Sequence, residues 1–268
     1  MTRGSFTILL AVLLSSCRSG GAGTSPLRAG YDTEDEPSGR EEESRPGVEP
    51  WEPKRLALRV PNFGDAVVVL PKEERTPGPL LVAAHGAGGE PDFDCDHWSR
   101  LTRGEWFVLC PRGKAISQGY EGSYYYPNHH ELEREVVAML AAARAEHADA
   151  LLGEPGVYAG FSQGATMGAL MAIDHGRDFR ALVLVEGGWS EWTLRRAQRF
   201  RETGGESVAL ICGGAGCTAR ARTSAQILER AGLRVHVEHV EGAGHTFLGP
   251  VAERAAWVFD AWPLLQGR

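Results

Sequence analysis

Gly160-Phe161-Ser162-Gln163-Gly164 carries the strongest structural signal in this 268-residue sequence. It follows an apolar run beginning at Val157, which predicts a buried strand, and it precedes residues 165–173, which predict a helix. A serine flanked by two glycines between a strand and a helix is typical of a sharp turn that leaves no room for larger side chains. The following helix begins with free backbone N–H groups, which favour negative charge near the serine hydroxyl. The pattern therefore predicts that Ser162 is a nucleophile.

A second glycine-rich stretch, His85-Gly86-Ala87-Gly88-Gly89, directly follows the predicted strand 80–84. Such a turn lets backbone N–H groups point at a developing oxyanion without interference from side chains. Taken alone, it is equally compatible with a simple turn, or with a phosphate-binding loop that lacks its lysine. Together with the Ser162 motif, it predicts an oxyanion hole formed by the N–H groups of Ala87 and Gln163.

A third motif, Gly242-Ala243-Gly244-His245, lies between a predicted strand over 235–240 and a predicted helix over 250–262. Of the nine histidines, only His245 occupies a strand-to-helix loop downstream of Ser162. A serine nucleophile needs a base within reach of its hydroxyl, and that base needs a carboxylate to orient it. His245 is therefore the predicted base.

The sequence from residue 54 onward alternates short β-rich runs with longer amphipathic runs, which is typical of an α/β sheet. Further predicted strands cover 56–60, 66–70, 106–110, 181–185 and 207–211, and further helices cover 131–147, 191–200 and 219–231. Asp92, Asp94 and Asp96 have the spacing of a calcium loop, but the glycine and the closing glutamate of such a loop are missing. We therefore expect a solvated loop at these aspartates and no metal site.

The order of the three motifs resembles the α/β-hydrolase superfamily, and the stretch Gly160-Phe161-Ser162-Gln163-Gly164-Ala165 is similar to its carboxylesterase/phospholipase branch. The resemblance covers roughly residues 55–265. It implies a mostly parallel eight-stranded sheet with helices on both faces. It also implies hydrolysis of small-molecule or lipid esters through an acyl-serine intermediate, without a metal or an organic cofactor. Because only about twenty residues separate Glu186 from Ser207, we expect one helix there and no sizeable cap domain.

The sequence departs from this branch at the third member of the catalytic triad. The branch places its acid after the seventh strand, where this chain has Gly213-Gly214-Ala215-Gly216-Cys217 and no Asp or Glu. Some hydrolases of this fold place the acid after the sixth strand, so Glu186 is the predicted acid. Glu186 could instead be a strand-end carboxylate that faces solvent, in which case Glu238 and Glu241 are the next candidates.

The missing acid leaves two alternatives to an esterase open. One is a binding protein without catalytic activity on a hydrolase scaffold. The other is a peptidase or thioesterase that uses the same residues, because the nucleophile does not fix the leaving group.

Residues 1–16 predict a signal peptide, with Arg3 ahead of an apolar run that is too short to span a bilayer. Leu14-Ser15-Ser16-Cys17 resembles the bacterial lipobox, which implies cleavage before Cys17 and acylation of its thiol. Because Arg18 follows, the resemblance favours lipid anchoring at the outer membrane of a bacterial envelope, facing the periplasm or the exterior. The alternative is an ordinary secretory signal with an incidental cysteine.

Residues 17–53 are rich in Gly, Ser, Pro, Glu and Arg, which predicts a solvated acidic tether ahead of a hydrolase domain over 54–268. Much of the net charge of −7 lies in this tether. A negative chain lacks the excess of Lys and Arg with which proteins neutralise phosphates, so nucleic acid is excluded as a partner.

Export also determines how the cysteines are interpreted. Besides Cys17 the chain has four, and an even number in an oxidising compartment predicts disulfides. Cys212 and Cys217 bracket a short glycine-rich loop and form the first expected pair, which leaves Cys95 and Cys110 as the second. Four buried free thiols are the alternative.

Overall fold

A computed structural model describes residues 51–73, 77–116, 122–153 and 155–261. The predicted signal peptide, Cys17 and nearly all of the predicted tether lie outside the described residues. The strands are β1 (Arg55–Leu58), β2 (Ala66–Val69), β3 (Leu80–Ala84), β4 (Phe107–Cys110), β5 (Lys114–Ala115), β6 (Tyr124–Tyr125), β7 (Gly156–Phe161), β8 (Phe179–Val185), β9 (Ser207–Cys212) and β10 (Arg234–His239). The α-helices are α1 (Pro91–Leu101), α2 (His129–Glu146), α3 (Gln163–Met171), α4 (Leu194–Thr203), α5 (Ala215–Arg230) and α6 (Pro250–Ala261).

Eight of the strands form one sheet in the order β1-β2-β4-β3-β7-β8-β9-β10. β1 pairs antiparallel with β2, and β2 pairs antiparallel with β4, whereas every pairing from β4 to β10 is parallel. The central strands β3, β4 and β9 are apolar except for Ser207 at the start of β9, and they are buried on both faces, as parallel strands covered by helices must be. The predicted mostly parallel eight-stranded sheet is therefore confirmed. β5 and β6 form a separate two-stranded sheet that the sequence did not indicate.

Helices cover both faces of the large sheet. One buried cluster contains side chains of α2, α3, α4 and α5, including Met139, Phe200 and Leu228. The cluster on the other face contains side chains of α1 and α6, including Trp98 and Val258. The connection from β8 to β9 is described throughout and contains α4 alone, so the expected absence of a large cap at this point agrees with the structure.

The expected solvated loop at Asp92, Asp94 and Asp96 is wrong, because these residues belong to α1. Pro91 stands at the beginning of the helix, where its missing N–H costs nothing, and two of the aspartates occupy the first turn, where the helix dipole favours acids. Cys95 and Trp98 then place an apolar stripe against the sheet, and both are fully buried. The spacing of the aspartates concealed this helical pattern.

The four cysteines lie in the two expected pairs. Cys95 of α1 and Cys110 of β4 have Cα atoms 5.8 Å apart and their sulfur atoms at bonding distance. Cys212 and Cys217 have Cα atoms 5.5 Å apart and likewise have bonded sulfur atoms. The segment between them is not wholly a loop, because α5 begins at Ala215.

The structure also bears on membrane spanning. Among the residues it describes, none of the helices has the length and apolar character that crossing a bilayer requires.

Candidate active site

Ser162 stands at the turn between β7 and α3, in a conformation that non-glycine residues rarely adopt. Its φ and ψ angles are 51° and −110°. The turn is held by the backbone, since the N–H of Ser162 donates to the carbonyl of Val185 at 2.9 Å and its carbonyl accepts from Thr166 at 3.0 Å. A Cβ atom on Gly187 would overlap the carbonyl oxygen of Ser162, so glycine is required where this turn meets the end of β8.

His245 lies in the loop between β10 and α6 and reaches the serine directly. Its Nε2 atom is 2.9 Å from Oγ of Ser162, which is hydrogen-bond distance. The imidazole lies beside the ring of Phe161, with 5.2 Å between ring centroids. The two histidines of β10 contact other partners: His239 bonds to Thr218, and His236 to Glu238.

Glu186 directly follows β8 and turns its carboxylate toward His245. Its φ is also positive, at 54°, and its backbone N–H continues the sheet by donating to Ile211 at 2.9 Å. Oε2 is 3.4 Å from Nδ1 of His245. Only 4% of the side chain is exposed, so the alternative of a solvent-facing carboxylate is wrong.

The other two acid candidates are placed differently. Glu238 forms an ion pair with Arg254 at 3.1 Å and contacts His236 of its own strand. Glu241 lies in the turn that follows β10 and is exposed.

Because Gly213 has no side chain, there is room beside it for the carboxylate of Glu186, which follows β8, to reach His245. The second carboxylate oxygen of Glu186, Oε1, accepts a hydrogen bond from the backbone N–H of Gly213. A Cβ atom on Gly213 would lie 3.1 Å from that oxygen and would overlap the carbonyl oxygen of Gly244. Gly244 in turn donates to the carbonyl of Gly213 at 2.8 Å, which ties the loop that carries His245 to the end of β9. Glu186 thus lies beside the segment from which the resembling branch takes its acid.

The loop after β3 passes close to Ser162. A Cβ atom on Gly86 would lie 3.3 Å from Cβ of Ser162. The loop is fixed by two of its amides, since Gly88 donates to Tyr124 at 2.8 Å and Gly89 donates to Gly86 at 3.0 Å. Within the part of the chain that the structure describes, the backbone N–H groups of Ala87 and Gln163 have no hydrogen-bond acceptor. Both are therefore free to donate to a substrate.

Side chains behind this loop hold it in place, and the motifs gave no signal for them. The side-chain oxygen of Gln163 accepts from the backbone N–H of Tyr126 at 2.8 Å. His85 is buried, with its ring nitrogens 2.7 Å from the carbonyl of Gly86 and 3.0 Å from that of Arg112, and it stacks on Tyr126. Burial lowers the pKa of His85, against the two carbonyl contacts, which favour the charged ring.

A cleft of about 360 Å³ opens beside Ala87 and His245. One wall is formed by Phe93, Asp94 and His97 of α1, a helix that the sequence analysis did not predict. The other wall is formed by Phe161 and the segment 245–248. Phe93 on the first wall and Leu248 on the second are 57% and 55% exposed, so the rim presents apolar surface to solvent. Burial raises the pKa of Asp94, which also lines the cleft, to about 6.

A metal site would need several His, Cys, Asp or Glu side chains close together. Among the residues that the structure describes, no three or more of these side chains form a group that could hold a metal ion.

Comparisons with known proteins rest on structure. No protein-family model matches the sequence, and no curated protein sequence is similar to it. Est1E from Butyrivibrio proteoclasticus superposes with a TM-score of 0.58 at 12% identity, over 80% of this chain and 99% of that one. A putative dienelactone hydrolase from Klebsiella pneumoniae superposes with a TM-score of 0.58 at 14% identity, over 80% and 98% of the two chains. The Bacillus cereus carboxylesterase superposes with a TM-score of 0.54 at 20% identity, over 73% and 92%. At these identities the likeness concerns the fold, and the protein has the α/β-hydrolase fold.

Proposed function

We propose that this protein is a serine hydrolase that cleaves carboxylic esters through an acyl-serine intermediate. The observation that carries the proposal is the line of contacts from Ser162 through His245 to the buried carboxylate of Glu186, at 2.9 Å and 3.4 Å. A nucleophile, a base and a group that orients the base are the parts that this chemistry requires.

The first half of the reaction makes the acyl-serine. Oγ of Ser162 attacks the ester carbonyl carbon while Nε2 of His245 takes the hydroxyl proton. The carbonyl oxygen becomes an oxyanion, to which Ala87 and Gln163 donate their free N–H groups. His245 then gives its proton to the departing alcohol. In the second half, water attacks the acyl group by the same steps in reverse, releasing the acid and restoring Ser162.

Glu186 acts on His245 and not on the substrate. Its carboxylate lies beside Nδ1 and favours the tautomer with the proton on that nitrogen, which leaves the lone pair of Nε2 directed at Ser162. Its negative charge also stabilises the imidazolium that forms during attack, while the proton stays on Nδ1. The bond from Gly213 fixes the other carboxylate oxygen, so the carboxylate has one orientation.

Two observations bear on the alternatives. A scaffold without catalytic activity would be favoured by a missing acid, and the buried carboxylate of Glu186 beside His245 supports the catalytic alternative instead. Esters are favoured over peptides and thioesters because Est1E, the carboxylesterase and a ferulic acid esterase are among the structures of this fold that superpose well. An acylaminoacyl peptidase from Pyrococcus horikoshii also superposes, so the assay must compare leaving groups.

The second part of the proposal concerns location and rests on the sequence of residues 1–53. The lipobox-like ending at Cys17 supports export and lipid anchoring in a bacterial envelope, with the acidic segment as tether. In Cys17→Ser, acyl-chain labelling should disappear and the protein should move to the soluble fraction. Retention of that variant in the membrane would contradict the anchor without affecting the enzyme.

The catalytic proposal is tested with p-nitrophenyl esters of graded acyl length, alongside the matched anilide and thioester. We expect turnover of the esters, and a loss of at least about 10³-fold in kcat in Ser162→Ala and in His245→Ala. Ser190→Ala, which removes an exposed serine of a neighbouring loop, is the matched control. Folded wild type without turnover of any ester would contradict the proposal.

A further inference from the structure

One face of α1 forms a wall of the cleft beside the proposed catalytic residues. Glu90, Phe93, Asp94 and His97 all line this cleft, and their spacing of three, four and seven residues is that of one helix face. Phe161 and Phe247 also line the cleft, where Phe247 packs edge-on against His97 with 4.7 Å between ring centroids, so the lining combines carboxylates with aromatic rings. Glu90 caps the beginning of α1 and the other three belong to it, and the mechanism proposed above uses none of these four side chains.

The acidic residues on the two faces of α1 differ in their partners. Asp92 and Asp96, on the outer face, lie within ion-pair distance of arginines: Arg112 is 3.3 Å from Asp92, and Arg55 is 3.5 Å from Asp96. Among the described residues, neither Glu90 nor Asp94 has a Lys or Arg within ion-pair distance, and none of the residues lining the cleft is a Lys or Arg. The arginines near this helix are thus paired on the side away from the cleft.

The two histidines that line the cleft do not offset this negative charge. Nε2 of His97 is 2.9 Å from the carbonyl oxygen of Phe247, and burial lowers the pKa of His97, so its imidazole is neutral at pH 7. His245 is neutral whenever it is competent to act as a base. At pH 7 the cleft therefore has a net negative charge.

Burial makes the ionised form of Asp94 unfavourable at this position. Burial raises the pKa of its carboxyl to about 6, against a hydrogen bond from the backbone of Glu90 that favours the ionised form, while the charge of Glu90 adds a smaller contribution in the same direction as burial. At pH 7 most of the carboxyl is therefore ionised, with a backbone N–H but, among the described residues, no cation beside it. A partly buried carboxylate without a cation destabilises the fold, and such groups concentrate where a ligand supplies the missing charge.

We infer that the cleft binds a positively charged ammonium group, so that the preferred substrates are esters bearing an amine or a quaternary ammonium. Asp94 and Glu90 would supply the counter-charge, and Phe93, which is 57% exposed, together with the partly exposed Phe161 would supply aromatic surface, which attracts ammonium groups through the electron-rich faces of the rings. This inference rests on the proposed function, because the cleft adjoins Ala87 and His245 of the proposed site.

The test uses two butyrate esters of the same shape that differ in charge. One is the ester of choline, and the other is the ester of 3,3-dimethylbutanol, in which carbon replaces nitrogen. We expect kcat/KM to be at least about tenfold higher for the choline ester. Binding of phenyltrimethylammonium, measured by calorimetry, provides a readout that needs no turnover and does not depend on which side of the ester carries the charge.

Variants of α1 locate the effect. In Asp94→Asn the ratio of the two kcat/KM values should fall at least about fivefold, and phenyltrimethylammonium should bind correspondingly more weakly. In Phe93→Leu, which keeps an apolar side chain at a 57% exposed position but removes the ring, the ratio should fall about threefold. Asp92→Asn is the matched control, since it removes a carboxylate from the outer face of the same helix turn and should leave the ratio unchanged.

The outcomes separate this inference from the proposed function. Turnover of both esters at equal kcat/KM, or an equal loss of preference in Asp92→Asn and Asp94→Asn, would overturn the ammonium site and leave the hydrolase intact. If neither ester is hydrolysed, the hydrolase proposal fails for these substrates, and calorimetry still decides the inference. Phenyltrimethylammonium binding that is lost in Asp94→Asn would support the site, and absence of binding to wild type would overturn it.

Discussion

The carboxylate of Glu186 lies between two groups from different loops: the backbone N–H of Gly213, which donates to Oε1, and the imidazole of His245, 3.4 Å from Oε2. A carboxylate from the end of β8 thus lies beside the segment after β9, which begins with Gly213 and Gly214. An acid after β8 can take the place of an acid after β9 because β8 and β9 are adjacent parallel strands, so that their carboxyl ends meet at the same edge of the sheet.

The first prediction concerns this carboxylate. Glu186→Gln should fold normally and lose about 10³-fold in kcat, because removing the carboxylate of a Ser-His-Asp triad costs on the order of 10⁴-fold and the contact at Nδ1 is long in this site. The loss should affect kcat and kcat/KM together. Glu238→Gln is the control, since that carboxylate contacts Arg254 and His236. Wild-type turnover in Glu186→Gln would show that the acid is another residue or that the site works as a dyad.

The second prediction concerns the glycine that makes room for the acid. Gly213→Ala should reduce kcat at least about tenfold, because its methyl group would overlap the carbonyl of Gly244 and displace the loop that carries His245. Gly214→Ala is the control, since a Cβ atom there has no neighbour within 4 Å. Steady-state kinetics at equal folded concentration compares the two. Equal activity of the two variants would contradict the close packing at Gly213.

The third prediction concerns the cysteine pairs. Peptide mapping without reductant should recover Cys95 linked to Cys110 and Cys212 linked to Cys217. Replacing Cys95 and Cys110 together by alanine should lower the free energy of unfolding by about 3 kcal/mol, because a cross-link that closes a loop of this size restricts the unfolded chain by about that much. Denaturant unfolding measures the difference. Freely alkylated thiols in native exported protein would contradict both links.

The fourth prediction uses the titration of Asp94. Since burial raises its pKa in the folded state to about 6 from an ordinary value of 3.8, the folded protein holds this proton more tightly than the unfolded chain. Its contribution to stability is therefore complete below about pH 4 and is lost as the pH rises through 6. Asp94→Asn should be more stable than wild type at pH 8 by about 1–2 kcal/mol and nearly equal to it at pH 4. Urea unfolding at the two pH values decides this, and a difference that is the same at both would contradict it.

Most strands and the turn at Ser162 could be predicted from the sequence because each is marked by a pattern of neighbouring residues. The buried strands are continuous apolar runs, and the glycines around Ser162 mark the one turn that joins such a strand to a helix under steric crowding. The mostly parallel eight-stranded sheet was expected from the resemblance of the three motifs to the α/β-hydrolase superfamily, and the order of its strands became visible in the structure. α1 was missed because its aspartates matched another local pattern, and only packing against the sheet shows that Cys95 and Trp98 form its buried stripe.

The acid and the cleft depend on contacts between distant segments. The sequence places Glu186 at a strand end, but its burial against Gly213 depends on a glycine 27 positions away. The cleft joins α1 to the loop after β10, whose residues are about 150 positions apart, as the bond from His97 to Phe247 shows. Spacing along the chain carries no information on such a contact, so the charge of the cleft became visible only in the structure, as did the lack of a Lys or Arg beside Asp94 among the described residues.

The most direct test of the central claim is the reaction of the folded protein with a fluorophosphonate, followed by intact-mass and peptide analysis. We expect one adduct per chain, located on Ser162, and a rate of labelling that falls at least about 10²-fold in His245→Ala while Ser190→Ala labels like wild type. An adduct on another residue, or a folded wild-type protein that remains unlabelled, would contradict the claim that Ser162 is an activated nucleophile.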